Sequence, residues 1–134
     1  MRRYMLDTDT CVFAIKSRPA ALRGRFNRLA DQICISAVTL SELAFGAERS
    51  AQPADNLAVV HRFAALVEVL PFNARAAYDC GEIRAELARQ GRPIGPFDLL
   101  IGGHARSEGL ILVTNNMREF ERIDGLRIET WVTP

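Results

Sequence analysis

The sequence predicts an α/β protein built on a parallel sheet, and three observations carry that prediction. Short apolar runs, Tyr4-Met5-Leu6, Ile33-Cys34-Ile35 and Leu110-Ile111-Leu112-Val113, alternate with longer stretches of helical character. That is the pattern of buried parallel strands joined by crossover helices. Each run is followed by an oxygen-bearing side chain: Asp7 directly, Glu42 in the next helix, and Asn116 in a Thr-Asn-Asn turn, with Asp98 opening a further helix. In open α/β sheets ligands bind beyond the carboxyl ends of the strands, so these four residues are expected to meet at one edge. Finally, 134 residues that are 49% apolar and 25% charged suit one domain, 1–134, with a core that needs neither disulfides nor a structural metal.

The elements follow in order. Residues 3–6 form a strand leading into a short helix that begins near Asp9 or Thr10, either of which can cap it. A helix over about 19–30 is opened by Pro19, whose fixed φ and missing N–H suit a first turn. Strand 33–35 ends at Ser36, a favoured N-cap for a helix over about 37–49. The polar stretch Ser50 to Asn56 reads as a loop before a helix over 57–67. Val67-Glu68-Val69-Leu70 is a third strand, stopped by Pro71. Asn73 caps a long helix over 73–90 that exits at Gly91. After the turn-rich link Gly91-Arg92-Pro93-Ile94-Gly95-Pro96 come a helix to about 108, strand 110–113, a short helix near 117–121 and a last strand around 126–132.

Composition excludes several classes of function. Cys11, Cys34 and Cys80 are odd in number and widely spaced, which argues against a disulfide framework or a zinc site and favours a reducing, cytoplasmic setting. Asp7 and Asp9 interrupt any signal-peptide apolar region, and no run approaches the ~20 apolar residues of a membrane span. The net charge of +1 advertises no global basic field for nucleic acid. Lys16 is the sole lysine, so 16 of the 17 basic residues are arginines, clustered at Arg18, Arg23, Arg25 and Arg28 and again at Arg118, Arg122 and Arg127. Arginine's planar fork suits phosphate, although solvated helix faces in an arginine-biased genome account for the clusters equally well.

Taken singly, the candidate site residues have plain structural explanations. Asp7 can cap the first helix, Asp98 follows Pro96 where a first-turn carboxylate favours the helix dipole, and Asn116 suits a turn. Glu42 resists this treatment. It lies mid-helix beside Val38 and Phe45 on an apolar stripe, where a carboxylate needs a partner or a metal. Carboxylates gathered at one sheet edge repel unless a cation neutralises them, which points to a hard-metal site. His61 and His104 show no ligand spacing, and His104 reads as a hydrogen-bonded helix histidine. Gly102-Gly103 within a helix costs ~1 kcal/mol per residue relative to alanine, which implies close packing against the sheet or the carboxylates.

Met5-Leu6-Asp7-Thr8-Asp9-Thr10 resembles the Asp-x-Asp-x-Thr box of haloacid-dehalogenase-like phosphatases, with Asp7 as nucleophile. That chemistry needs a distant lysine and a later acidic pair for magnesium. Lys16 is too close in sequence, and no such pair follows a later strand.

Four pieces support a different resemblance. Met5-Leu6-Asp7-Thr8, Thr39-Leu40-Ser41-Glu42-Leu43-Ala44-Phe45-Gly46, Gly95-Pro96-Phe97-Asp98-Leu99-Leu100-Ile101 and Val113-Thr114-Asn115-Asn116-Met117-Arg118-Glu119-Phe120 occur in order across nearly the whole chain. Together they resemble the PIN-domain ribonucleases, specifically VapC-type toxins of bacterial toxin–antitoxin pairs. The resemblance implies a three-layer α/β/α fold on a four- to five-stranded parallel sheet. It also implies Mg²⁺- or Mn²⁺-dependent cleavage of RNA, with structured RNA such as tRNA as target. Asp7, Glu42 and Asp98 match the family's acidic triad; Asp7 and Asp98 would hold the metal, with Glu42 binding directly or through water. Asn116 matches a fourth position that is often acidic, and Thr8, Ser41 and Thr114 are candidates to orient carboxylates or water. The implied partners are RNA, a VapB-type antitoxin and a second copy of the chain. Asp9 stands where the family often has Asn, and Gly102-Gly103 where it commonly has an alanine pair. A decayed binding protein on the same fold is the other alternative, and the intact triad argues against it.

Overall fold

The computed structural model describes residues 1–16 and 20–132. Five strands, β1 (Tyr4–Leu6), β2 (Ile33–Ser36), β3 (Glu68–Leu70), β4 (Ile111–Val113) and β5 (Ile128–Glu129), form one sheet in the order β3-β2-β1-β4-β5. All four pairings are parallel, in register Tyr4 with Ile33 and with Ile111 across the centre. The chain first winds from β1 through β2 to β3, then crosses back to place β4 and β5 on the other side. The strand order reverses between β1 and β4, and sheets of this kind bind ligands beyond the carboxyl ends of the strands at such a point.

Helices cover both faces, as the parallel sheet requires. Alternate residues of each strand point to opposite sides, so Met5, Cys34 and Leu112 join one core and Leu6, Ile33, Ile35 and Val113 the other. The second core is closed by α1 (Thr8–Lys16), α2 (Ala20–Arg28), α3 (Ala37–Glu48) and α4 (Pro53–Ala64). The first is closed by α5 (Ala74–Arg89), α6 (Pro96–Ser107) and the single-turn α7 (Met117–Phe120). The expected three-layer α/β/α architecture with five strands is the one observed.

Local chemistry explains most boundaries. Ser36 accepts the Val38 N–H at 3.1 Å, and Asn73 accepts the Ala76 N–H at 3.0 Å, so both expected caps act as caps. Gly91 takes φ 66 just past α5, a conformation that glycine adopts without Cβ strain. Of the three residues expected to cap α1, Asp7 does so, one residue before the helix, and Asp9 and Thr10 do not. Two further expectations need correction. α4 begins at Pro53, inside the stretch read as a loop, because proline is well suited to a first helical turn. The last strand shrinks to two residues at the sheet edge, where only Arg127 and Glu129 offer carbonyls to β4 and its exit. Pro19, expected to open the second helix, and Arg18 of the first arginine cluster lie outside the described residues.

The glycine pair in α6 is explained by helix packing, not by the sheet or the carboxylates. A Cβ on Gly103 would run into Cys80 of α5, with the cysteine Cα only 3.2 Å away. One on Gly102 would meet the Ile123 side chain at 2.7 Å and Phe120 at 3.3 Å. Next to the pair, His104 is fully buried and sets Nδ1 2.8 Å from the Ser36 hydroxyl. That bond ties α6 to the β2–α3 junction, and burial holds the imidazole pKa below its ordinary value.

Candidate active site

Asp7 stands directly after the carboxyl end of β1. Its N–H extends the ladder to the Val113 carbonyl at 3.0 Å, and the residue is only 3% exposed. One carboxylate oxygen accepts the Thr10 N–H at 2.9 Å and so caps α1. The other accepts the Thr114 hydroxyl at 2.6 Å. Burial pushes the Asp7 pKa up, the bonds from Thr114 and Thr10 pull it down, and the balance is upward. The residue is thus both a cap and a candidate ligand, and the two readings do not compete.

Glu42 comes from the middle of α3 and reaches α1, where the Thr8 hydroxyl donates to it at 2.6 Å. The Thr39 hydroxyl sits 3.3 Å from that of Thr8. Thr39 is buried and three residues before Glu42, on the same helix face. Ser41, expected to support the carboxylates, is exposed and makes no side-chain hydrogen bond among the described residues. Thr39 occupies the place expected of Ser41.

Asp98 lies in the first turn of α6. Burial, then Glu119, Asp7, Asp9 and Glu42, push its pKa from 3.8 to about 7. Every cause acts in one direction, so these carboxylates feel one another, and no arginine or lysine among the described residues offsets them there. Glu119 is the residue that the sequence reading passed over. It accepts the Gly95 N–H and the Asn116 side-chain amide, each at 2.6 Å. A Cβ built on Gly95 would lie 3.5 Å from Glu119 and 3.6 Å from Asp98, so both carboxylates crowd this one glycine. Asn116 therefore positions Glu119. Its own N–H donates to the Thr114 oxygen at 2.8 Å, completing a chain from Asn116 through Thr114 to Asp7.

The fold thus brings Asp7, Glu42 and Asp98 to one edge, with Asp9 and Glu119 beside them. As oriented, no three acidic, histidine or cysteine side chains among the described residues close on a single point. Glu42 and Glu119 instead turn toward neighbouring donors. The donor set is nonetheless the right one for a hard divalent cation, which prefers carboxylate, amide and water oxygens. Uncompensated like charge of the kind that lifts Asp98 is what such a cation relieves.

Comparison with known proteins agrees with this arrangement. Residues 4–126 match the PIN domain family. The chain is 59% identical over 131 residues to the tRNA(fMet)-specific endonuclease VapC of Shigella flexneri, covering 98% of this chain and 99% of that protein. It is 56% identical to the tRNA(fMet)-specific endonuclease VapC of Salmonella typhimurium, with the same coverage. Among solved structures, a chain of the DNA-bound VapBC from Salmonella typhimurium superposes with a TM-score of 0.96 at 55% identity, covering 98% of this chain and all of that one. A parallel sheet wound in this order, a carboxylate edge at its switch point and near-complete coverage by these relatives lead to one conclusion: the chain belongs to the PIN-domain family, in its VapC group.

Proposed function

We propose that this protein is a divalent-metal-dependent endoribonuclease toxin, with initiator tRNA as the substrate to test first. The observation that supports it best is the carboxylate edge itself, where burial first, and then Glu119, Asp7, Asp9 and Glu42, lift Asp98 to about 7 with no compensating cation among the described residues. Asp7 and Asp98 would hold the metal, with Glu42 and Glu119 able to swing from their present donors to complete or water-bridge its shell. Magnesium or manganese supplies, when bound, charge neutralisation at the phosphoryl group and activation of water near neutral pH. The protein's own part is positioning. Thr114 and the Thr10 N–H fix the Asp7 carboxylate, Thr8 holds Glu42, and Asn116 with the Gly95 N–H holds Glu119. No histidine is needed as a base, and His104 is sequestered in the core.

The substrate choice rests on the relatives named tRNA(fMet)-specific. The VapBC assemblies among the solved structures support a VapB-type antitoxin as partner. An arginine or lysine of such a partner reaching the carboxylates would neutralise them and exclude the metal. We further infer a homodimer and a cytoplasmic setting. No described helix is long and apolar enough to cross a membrane, and the three cysteines are free and buried.

The phosphatase alternative lacks support. Lys16 closes α1, about 12 Å along the helix axis from its start. The Asp7 oxygen that caps the helix is committed to the Thr10 N–H. The deciding experiment is cleavage of initiator tRNA with and without Mg²⁺ by wild type and Asp7→Asn. Metal-dependent cleavage by wild type alone is expected, and equal cleavage by a folded Asp7→Asn protein would refute the site. Light scattering and co-purification with the product of an adjacent small reading frame test the dimer and the antitoxin.

A further inference from the structure

Two large exposed rings lie next to site carboxylates on their helices. Phe45 is 65% exposed and Phe97 is 54% exposed. Scattered exposed hydrophobes are ordinary on a protein surface, but these two are not scattered. Phe45 lies one turn beyond Glu42 on α3, where side chains three apart are neighbours. Phe97 immediately precedes Asp98 in the first turn of α6. Arg49, at the end of α3, lays its guanidinium 5.4 Å from the centre of the Phe45 ring. Arg49 is exposed and makes no ion pair among the described residues, so its N–H groups remain free for a phosphate.

Charge makes these rings meaningful, given the ribonuclease reading on which the inference rests. An RNA strand approaching this edge meets Asp7, Asp9, Glu42, Asp98 and Glu119, and the whole chain offers a net charge of only +1. A polyanion cannot be held there by a general basic field. Stacking on aromatic faces is indifferent to that repulsion and is how proteins hold unpaired bases. We propose that Phe45 and Phe97 are stacking platforms for the unpaired bases flanking the scissile phosphate, and that Arg49 grips a phosphate beside the Phe45 platform. These are substrate-positioning residues, so their loss should weaken binding and leave the chemical step intact.

Cleavage of initiator tRNA by the magnesium-loaded full chain tests this directly. Phe45→Ala and Phe97→Ala should each raise KM about five- to a hundredfold with kcat within about twofold, from the usual worth of one stacked base. Phe45→Tyr and Phe97→Tyr should restore the wild-type KM, since the ring face is kept. Arg49→Ala should raise KM and flatten its salt dependence. Tyr78→Ala removes another exposed ring, on α5, which bears none of these carboxylates, and should change nothing. An unchanged KM in both alanine variants overturns the inference. So does a fall in oligomeric state with Phe45→Ala that accounts for its loss of activity, because the ring would then belong to a contact between copies. A wild-type protein that cleaves no RNA would instead overturn the ribonuclease reading, and this inference with it.

Discussion

In metal-free buffer, Asp98→Asn should stabilise the protein, and by an amount that grows with pH. The Asp98 carboxyl is raised from 3.8 to about 7, first by burial and then by Glu119, Asp7, Asp9 and Glu42. At 1.36 kcal/mol per pH unit the difference corresponds to about 4 kcal/mol. The side chain is partly exposed, and solvent screening brings the expected effect to on the order of 2 kcal/mol. The sign follows from proton linkage. The folded state holds the Asp98 proton more tightly than the unfolded chain, so this contribution to stability is complete below pH 3.8 and is lost as pH rises through about 7. Asparagine is neutral throughout and stands in for the protonated acid. Urea titrations with EDTA should therefore give nearly equal stabilities for wild type and variant near pH 4, separating by ~2 kcal/mol at pH 8. Saturating Mg²⁺ should close the gap by stabilising wild type. Parallel stability curves across the whole range would mean that the acids do not crowd Asp98, and the proposed site would lose its physical basis.

Magnesium or manganese should raise the melting temperature of wild type, by about 2.7 kcal/mol of stabilisation at a hundredfold excess over Kd, and far less in Asp98→Asn; equal shifts in calorimetry would put the ion elsewhere. Thr114→Val removes both the donor to Asp7 and the acceptor for the Asn116 N–H. It should cost about 1–3 kcal/mol in denaturation and 10- to 100-fold in metal affinity, and an unchanged affinity would confine Thr114 to the fold. Gly103→Ala drives a Cβ into Cys80 of α5 and should cost about 1–3 kcal/mol by urea titration despite alanine's better helix propensity. Asn116→Asp replaces the amide that now donates to Glu119 with a like charge. Two such charges about 4 Å apart repel by ~4 kcal/mol at an effective dielectric near 20, so the metal-free variant should melt lower and bind Mg²⁺ more tightly in calorimetric titration.

How legible each part was depended on whether its cause is local. The runs that became β1, β2 and β4 are apolar throughout because both sheet faces are covered, and that signal survives in sequence. Ser36 and Asn73 announced themselves because an N-cap is a contact across only two or three residues. Asp7 was visible both as a site candidate and as a possible cap, but Asp9 and Thr10 have the same capping chemistry, so sequence alone did not choose among the three. Ser41 and Thr39 both lie within one turn of Glu42, and only the tertiary approach of Thr8 from α1 gives Thr39 the contact expected of Ser41. Glu119 carries no local signal that marks it as a site residue, and only the long-range approach of Gly95 and Asp98 gives it a place there. The cost of Gly102-Gly103 was readable, but its cause, Cys80 on one side and Phe120 with Ile123 on the other, is tertiary.

Asp7 shows why the choice of substitution decides what an activity assay means. One of its oxygens belongs to the fold, accepting the Thr10 N–H, and the other faces the site through Thr114. Alanine would remove both and cost about 1 kcal/mol from the cap alone, so lost cleavage could be lost folding. Asparagine caps as well as aspartate, keeps an oxygen for Thr10, and can set its amide nitrogen against the Thr114 oxygen as a donor. It also removes a buried negative charge whose pKa is already raised by burial. Asp7→Asn should therefore melt no lower than wild type without metal, yet neither cleave RNA nor gain thermal stability from Mg²⁺. A variant that unfolds would show that the cap depends on the charge itself. One that folds, ignores the metal and still cleaves would show that the chemistry does not pass through Asp7.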